Sequence, residues 1–226
     1  MGLDDRSYRE DRGVSRQKQR LIVGMSGASG VIYGIRLLEV LQQVEALETH
    51  LIMSAAAKRT ILLETAYTIE QVECLADQTY RTCDIAAALS SGSFQTLGMV
   101  VLPCSIKTLS GIVHCYSDTL LLRAADVVLK DRCKLLLAVR ETPFHLGHLR
   151  MMVQATEMGA IIMPPLPAFY HRPTSLAEII DQTVNRVLDM FGIQLEHDMF
   201  QRWEMESGEK ISHFHNVPPI PLLLEK

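Results

Sequence analysis

Residues 21–41 read LIVGMSGASGVIYGIRLLEVL. The apolar run over 21–26 predicts a short strand, and the spacing after the glycines predicts an amphipathic helix from about Ser29 to Gln43. The same grammar recurs outward from this unit. THLIMS at 49–54 is a second strand followed by the helical stretch AAAKRTILLETA, and GMVVLPCS at 98–105 is a third strand. That third strand is apolar almost throughout, as strands buried on both faces are. TLSGIVH and LLLRAADVVLK read as helices, KLLLAVRE at 134–141 as a fourth strand, and HLGHLRMMVQATEM as a helix. AIIMPP then gives a fifth strand and SLAEIIDQTVNRVLDMFG a long closing helix. Alternating strands and helices imply a doubly wound α/β fold, a flavodoxin/Rossmann-like parallel sheet with helices on both faces, in a single domain.

The ends differ in composition. Residues 1–20 carry ten charged side chains and almost no apolar ones, so they predict a disordered arm with no signal-peptide core. Residues 208–226, ending NVPPIPLLLEK, predict an extended proline-rich tail, which leaves 21–207 as the folded domain. No apolar run reaches the roughly 18 residues of a membrane span. A net charge of -4 gives no basic footprint for nucleic acid. Five cysteines without a C-x-x-C pair suit reduced thiols in a cytoplasmic protein, with neither a disulfide frame nor a zinc site.

In a doubly wound sheet, ligands sit beyond the carboxyl ends of the strands. The informative segments are therefore 26–30, Ser54, 103–108, 140–143 and 164–170. The first, GMSGASG, allows a tight turn and offers unpaired helix N–H groups to an anion. Its spacing is G-x-x-G-x-x-G, and the second strand ends in Ser54 where an NAD site places an acidic residue. A mononucleotide suits it better. PCSIKT adds the Ser105 and Thr108 hydroxyls and the Lys107 cation, although Ser105 also reads as an ordinary helix cap. Arg123 and Lys130 lie two turns apart on one helix, and Arg140 with Glu141 ends the fourth strand. Aromatic residues make up 6% of the chain, which draws attention to Tyr170 and the lone Trp203. His145 and His148 lack a third metal ligand at suitable spacing, so no metal is expected.

LIVGMSGASGVIYGIRLLEVL, SSGSFQTLGMVVLPCSIKTLSGIVH, RAADVVLK, VRETPFHLGHL and PPLPAFYHRP, in this order and spacing, resemble the UbiX flavin prenyltransferase family over about residues 21–203. The resemblance implies an FMN-binding turn at Gly27, Ala28 and Ser29 with Ser54. A second flavin segment is implied at Ser105, Ile106, Lys107 and Thr108 with Arg123. It implies an allylic phosphate site at Lys130, Arg140, Glu141, Tyr170 and Arg186, and a loop with Ser91 and Ser93 that reaches a neighbouring subunit. Glu64 and Trp203 match positions near the reacting atoms. Ala55 departs from the lysine that many relatives have after the serine.

The implied reaction joins a dimethylallyl group from dimethylallyl phosphate to N5 and C6 of reduced FMN. The prenylated FMN would serve a UbiD-type decarboxylase, in ubiquinone synthesis or in aromatic acid decarboxylation. Lys130, Arg140 and Arg186 suit a leaving phosphate without a metal, since fixed cations stabilise its charge. Tyr170 and Trp203 suit shelter of an allyl cation. Glu64, Glu141 or the released phosphate are the candidates for proton transfer. The resemblance also implies a homo-oligomer, often a dodecamer, with sites between subunits. An FMN-dependent decarboxylase of the cysteine-decarboxylating kind is a rival, opposed by PCSIKT where those enzymes carry a PASANT-like segment. A non-catalytic flavin carrier is a second, opposed by the charged cluster.

Overall fold

The computed structural model describes residues 18–199. Its six strands are β1 (Gln19–Met25), β2 (Leu47–Met53), β3 (Gln78–Tyr80), β4 (Gly98–Cys104), β5 (Lys134–Val139) and β6 (Ala160–Ile162). They form one parallel sheet in the order β3-β2-β1-β4-β5-β6. The helices are α1 (Val31–Leu41), α2 (Ala55–Glu64), α3 (Ile69–Glu73), α4 (Ile106–Val113), α5 (Leu120–Lys130), α6 (Leu146–Glu157) and α7 (Leu176–Phe191).

Side chains on successive strand residues point to opposite faces, and here both faces are covered. Leu21, Val23 and Met25 of β1 join Val100, Leu102, Leu136 and Ala138 in a core with α1 and α7. Ile22, Met99, Val101, Leu135, Leu137 and Val139 join a second core with α4 and α5. Each fully buried Leu, Ile or Val contributes about 1.5–3 kcal/mol relative to exposure. These two cores hold the strand ends, and therefore the turns beyond them, in place.

Three details depart from the sequence reading. β1 starts at Gln19, because Gln19 pairs in register with Leu47 and Arg20 bridges to Glu48 at 2.9 Å. α1 starts at Val31, because Gly30 takes a left-handed conformation with φ 94° that stops the helix from beginning at Ser29. α3, β3 and a single 3-10 turn at Ala88–Ser90 carry no apolar periodicity: β3 is a three-residue edge strand and α3 is defined by its Thr68–Gln71 capping box. With β3 at the edge, the order becomes that of dinucleotide-binding sheets; without it, the flavodoxin order remains. Both reverse direction beside β1, so the expected ligand position is the same. Among the described residues, no helix is long and apolar enough to cross a membrane.

Candidate functional site

The strand order reverses between β1 and β4, and in such sheets the ligand crevice lies at this point of the carboxyl edge. Its floor is fastened by Ser26, a buried residue that opens the first informative segment but is not among the implied flavin contacts. The Ser26 hydroxyl donates to the Pro103 carbonyl at 3.0 Å and accepts from the Ser105 N–H at 2.7 Å. Its signal in the sequence is its place as the serine that ends an apolar strand at the ligand edge.

Three helix N-termini open around this floor. α1 begins at the glycine turn, α2 at Ser54 and α4 at Ser105. The Ser54 hydroxyl accepts from the Ala57 N–H at 3.0 Å. The Ser105 hydroxyl accepts from the Thr108 N–H at 3.3 Å and lies 3.1 Å from the Thr108 hydroxyl. Each start exposes backbone donors and the positive end of a helix dipole. Gly27 is exposed, and a Cβ there would lie 2.3 Å from the Ala56 Cβ. The turn thus approaches α2 as closely as a residue without a side chain can. Gly27 packs against Ala56, and none of Gly27, Ala28, Ser29, Ser54, Ala55 and Ala56 has a side chain longer than serine. This small-residue cradle, with donors on three sides, fits a flat ring system that carries a phosphate.

Charged groups stand at the same edge. Arg140 is exposed, and its N–H continues the strand pairing by donating to the Cys104 carbonyl at 3.0 Å. The next carboxylate, Glu141, accepts from the Thr142 N–H at 3.0 Å. Glu64, the last residue of α2, accepts from the Gly30 N–H at 2.8 Å and so faces the glycine turn. Tyr170 lies in the loop after β6, which also leaves this edge. Lys107 is exposed on the first turn of α4. Cys104 closes β4, and burial pushes its thiol up to about 12, so it is no nucleophile.

The remaining predicted residues lie elsewhere in the chain. Lys130 ends α5 and precedes β5, whereas Arg140 follows β5, so a strand length of about 20 Å separates them. Lys130 instead meets the loop of Ser91 and Ser93. A Cβ on Gly92 would lie 2.5 Å from the Lys130 Nζ, and the two serine hydroxyls are 2.8 Å apart. Arg123 sits on the first turns of α5, and Arg186 is exposed on α7. Trp203 lies outside the described residues.

Pairing also separates the cations. Arg123 holds Asp126 at 2.7 Å, Lys130 holds Asp131 at 2.6 Å and Arg186 holds Asp189 at 2.9 Å. Lys107 and Arg140 have no ion-pair partner among the described residues. A guanidinium left unpaired at the ligand edge is available to an anionic group of a ligand. Among the described residues, no three His, Cys, Asp or Glu side chains come together as a metal site.

Comparison with known proteins shows the family. The Flavoprotein family matches residues 10–187. The chain is 67% identical over 186 residues to the flavin prenyltransferase UbiX of Escherichia coli K12, covering 82% of this chain and 98% of that protein. Among solved structures, AnUbiX (PadA1) in complex with FMN and dimethylallyl pyrophosphate is similar at 45% identity and a TM-score of 0.79, covering 83% of this chain and 98% of that one. A dodecameric FMN-dependent UbiX-like decarboxylase from Escherichia coli O157:H7 is similar at 49% identity and a TM-score of 0.79, covering 83% and 100%.

Proposed function

The chain belongs to the UbiX flavin prenyltransferases of the Flavoprotein family, and we propose that it transfers a dimethylallyl group from dimethylallyl phosphate to N5 and C6 of reduced FMN. The observation that carries this reading is the small-residue cradle at the β1/β4 crevice, with Arg140, Glu141 and Glu64 on the same edge. Gly27, Ala28, Ser29 and Ser54 would hold the flavin from one side, and Ser105, Ile106, Lys107 and Thr108 from the other, with Arg123 beyond them. Bound reduced FMN supplies the nucleophilic ring atoms.

The protein must hold a phosphate that leaves with the electron pair of the allylic C–O bond. Arg140 offers an unpaired guanidinium for that charge, and Lys130 and Arg186 add cations that can exchange their aspartates for phosphate oxygens. Lys130 and the Ser91–Ser93 loop lie at the opposite end of their own chain, so a second copy would bring them to this crevice. A homo-oligomer with sites between subunits follows, in keeping with the dodecamer of a relative. Tyr170 and Trp203 would exclude water from the allyl group, and Glu64 and Glu141 would accept protons. The donor is a monophosphate in this reading, because the chain has no aspartate-rich metal motif for a pyrophosphate. The prenylated flavin would leave for a UbiD-type decarboxylase. The exposed thiols suit a reducing compartment, the cytoplasm.

The test is anaerobic incubation of the purified protein with reduced FMN and dimethylallyl phosphate, followed by mass analysis of the flavin. A gain of one five-carbon unit is expected. Flavin that stays bound but unmodified would favour a carrier.

A further inference from the structure

Glu64 is exposed, yet its position is fastened from both sides. Its carboxylate accepts from the Gly30 N–H at the start of α1. Immediately after it, the Thr65 N–H and hydroxyl donate to the Ile61 carbonyl at 3.0 and 2.8 Å, and the Tyr67 N–H donates to the Thr65 hydroxyl at 3.2 Å. This tight segment carries the Tyr67 side chain back onto α1, where its hydroxyl donates to Glu39 Oε1 at 2.5 Å. Gly30 and Glu39 are about 13 Å apart along α1, so α2 ends across nearly the whole helix.

Glu39 is itself held. Arg36 donates to its other carboxylate oxygen at 3.1 Å and grips Asp181 of α7 with two nitrogens, at 2.7 and 3.3 Å. The guanidinium fork fixes both carboxylates in direction as well as distance. The bond to Glu39, with burial adding to it, raises the Tyr67 pKa, so the phenol remains a donor at neutral pH.

We infer that the chain Asp181–Arg36–Glu39–Tyr67 is a positioning device for Glu64, holding the end of α2 so that the carboxylate stays over the glycine turn. Tyr67, Glu39, Arg36 and Asp181 are positioning residues that touch no substrate. The inference rests on the proposed proton-accepting role of Glu64.

The experiment is a double-mutant cycle on the full chain with Tyr67→Phe and Glu64→Gln, reading FMN affinity by fluorescence and the kcat and KM of prenylation. Tyr67→Phe keeps the ring that packs against the core and removes only the hydroxyl. It should lower kcat about tenfold, the scale expected for slight misplacement of a reacting group. FMN affinity and KM for the allylic donor should not change. In the Glu64→Gln background, Tyr67→Phe should have no further effect on kcat, because the group it positions is gone. Glu39→Gln should repeat this pattern and serves if Tyr67→Phe does not fold. An unchanged kcat in Tyr67→Phe with a slow Glu64→Gln overturns the inference alone. The same fold loss in both backgrounds also overturns it, since that is a general structural effect. Full kcat in Glu64→Gln would instead remove Glu64 from the mechanism, and the inference with it.

Discussion

The two edges of the sheet carry similar residue types and handle them in opposite ways. At the carboxyl edge, serine hydroxyls cap helices whose first turns offer further N–H groups, and Arg140 has no ion-pair partner among the described residues. At the amino edge, Lys130 is neutralised by Asp131, and Arg20 bridges Glu48 while lying 5.0 Å over the Phe94 ring. Arg20, Glu48 and Phe94 are occupied with one another. Lys130 and the serine pair have only exposed, short-range partners, which a ligand can replace at small cost. The difference teaches that one chain presents two incomplete half-sites, a cradle with Arg140 and Lys107 and a loop with Lys130.

Complementation between inactive variants is the strongest way to break this comparison. Arg140→Ala and Lys130→Ala should each slow prenylation by about 100-fold or more, the usual loss when a charge-stabilising group is removed. Co-assembled one to one, they should regain activity, because about a quarter of the sites would then combine an intact cradle with an intact loop. Activity assays on co-expressed and separately purified variants decide it. If mixed assemblies stay as inactive as the parents, Lys130 does not reach a neighbour's crevice.

The unequal legibility of the two edges has a physical cause. The cradle could be read because a doubly wound fold puts the residue after each strand at the ligand edge, so LIVGMSGASG and LPCSIKT announced their own positions. The fold was legible for the same reason, since both-face burial makes β1, β4 and β5 nearly continuous apolar runs. Lys130 could be given a role only by family resemblance: helix periodicity placed it on a face with Arg123, but not at which end of the sheet it lies. β3 and α3 were missed because exposed edge pieces of three and five residues bury little and leave no period. The Tyr67–Glu39–Arg36–Asp181 chain was missed because its members are far apart in sequence and each resembles a solvated polar residue.

Glycines at the two edges sharpen the comparison with a smaller effect. Gly27→Ala places a methyl 2.3 Å from the Ala56 Cβ, where backbone follows closely behind, with Ala56 C and Cα each at 3.3 Å. Relief requires moving the turn or α2, at about 1–3 kcal/mol. FMN binding should weaken by about 5- to 150-fold if that cost falls on the bound state, at about 1.4 kcal/mol per tenfold. Ala56→Gly in the same chain should restore most of the affinity, as read by fluorescence titration. Gly92→Ala meets only the far ends of two side chains, the flexible Lys130 at 2.5 Å and the Asp131 carboxylate at 2.9 Å, and should leave FMN affinity unaltered. Equal losses in the two variants would mean that the cradle is no more rigid than the loop.

The smallest effect concerns His50, which is 3% exposed on β2 at the base of the amino-edge cluster. Its Nδ1 is hydrogen-bonded to the Tyr80 hydroxyl at 3.0 Å, its ring meets Phe94 edge-on at 4.9 Å, and its Nε2 has no hydrogen-bond partner among the described residues. Burial lowers the His50 pKa, and nearby Arg20 adds to this, while Glu48, whose Oε1 is 3.6 Å from Nε2, and Asp77 oppose it. Protonation is therefore harder in the folded chain than in the unfolded one. The unfolded state binds the extra proton first, so stability is full above the ordinary histidine value of about 6.5 and falls as pH drops through the lowered folded value. Thermal melts from pH 8 to pH 5 should show a decline below about 6.5 that flattens in His50→Gln, after allowance for the general loss of carboxylate charge. At neutral pH the prenylation rate should be nearly the same in both proteins, since His50 is neutral there. A decline of equal slope in the variant would show that protonation of His50 does not cause it, and that burial of this ring puts no strain on the amino edge.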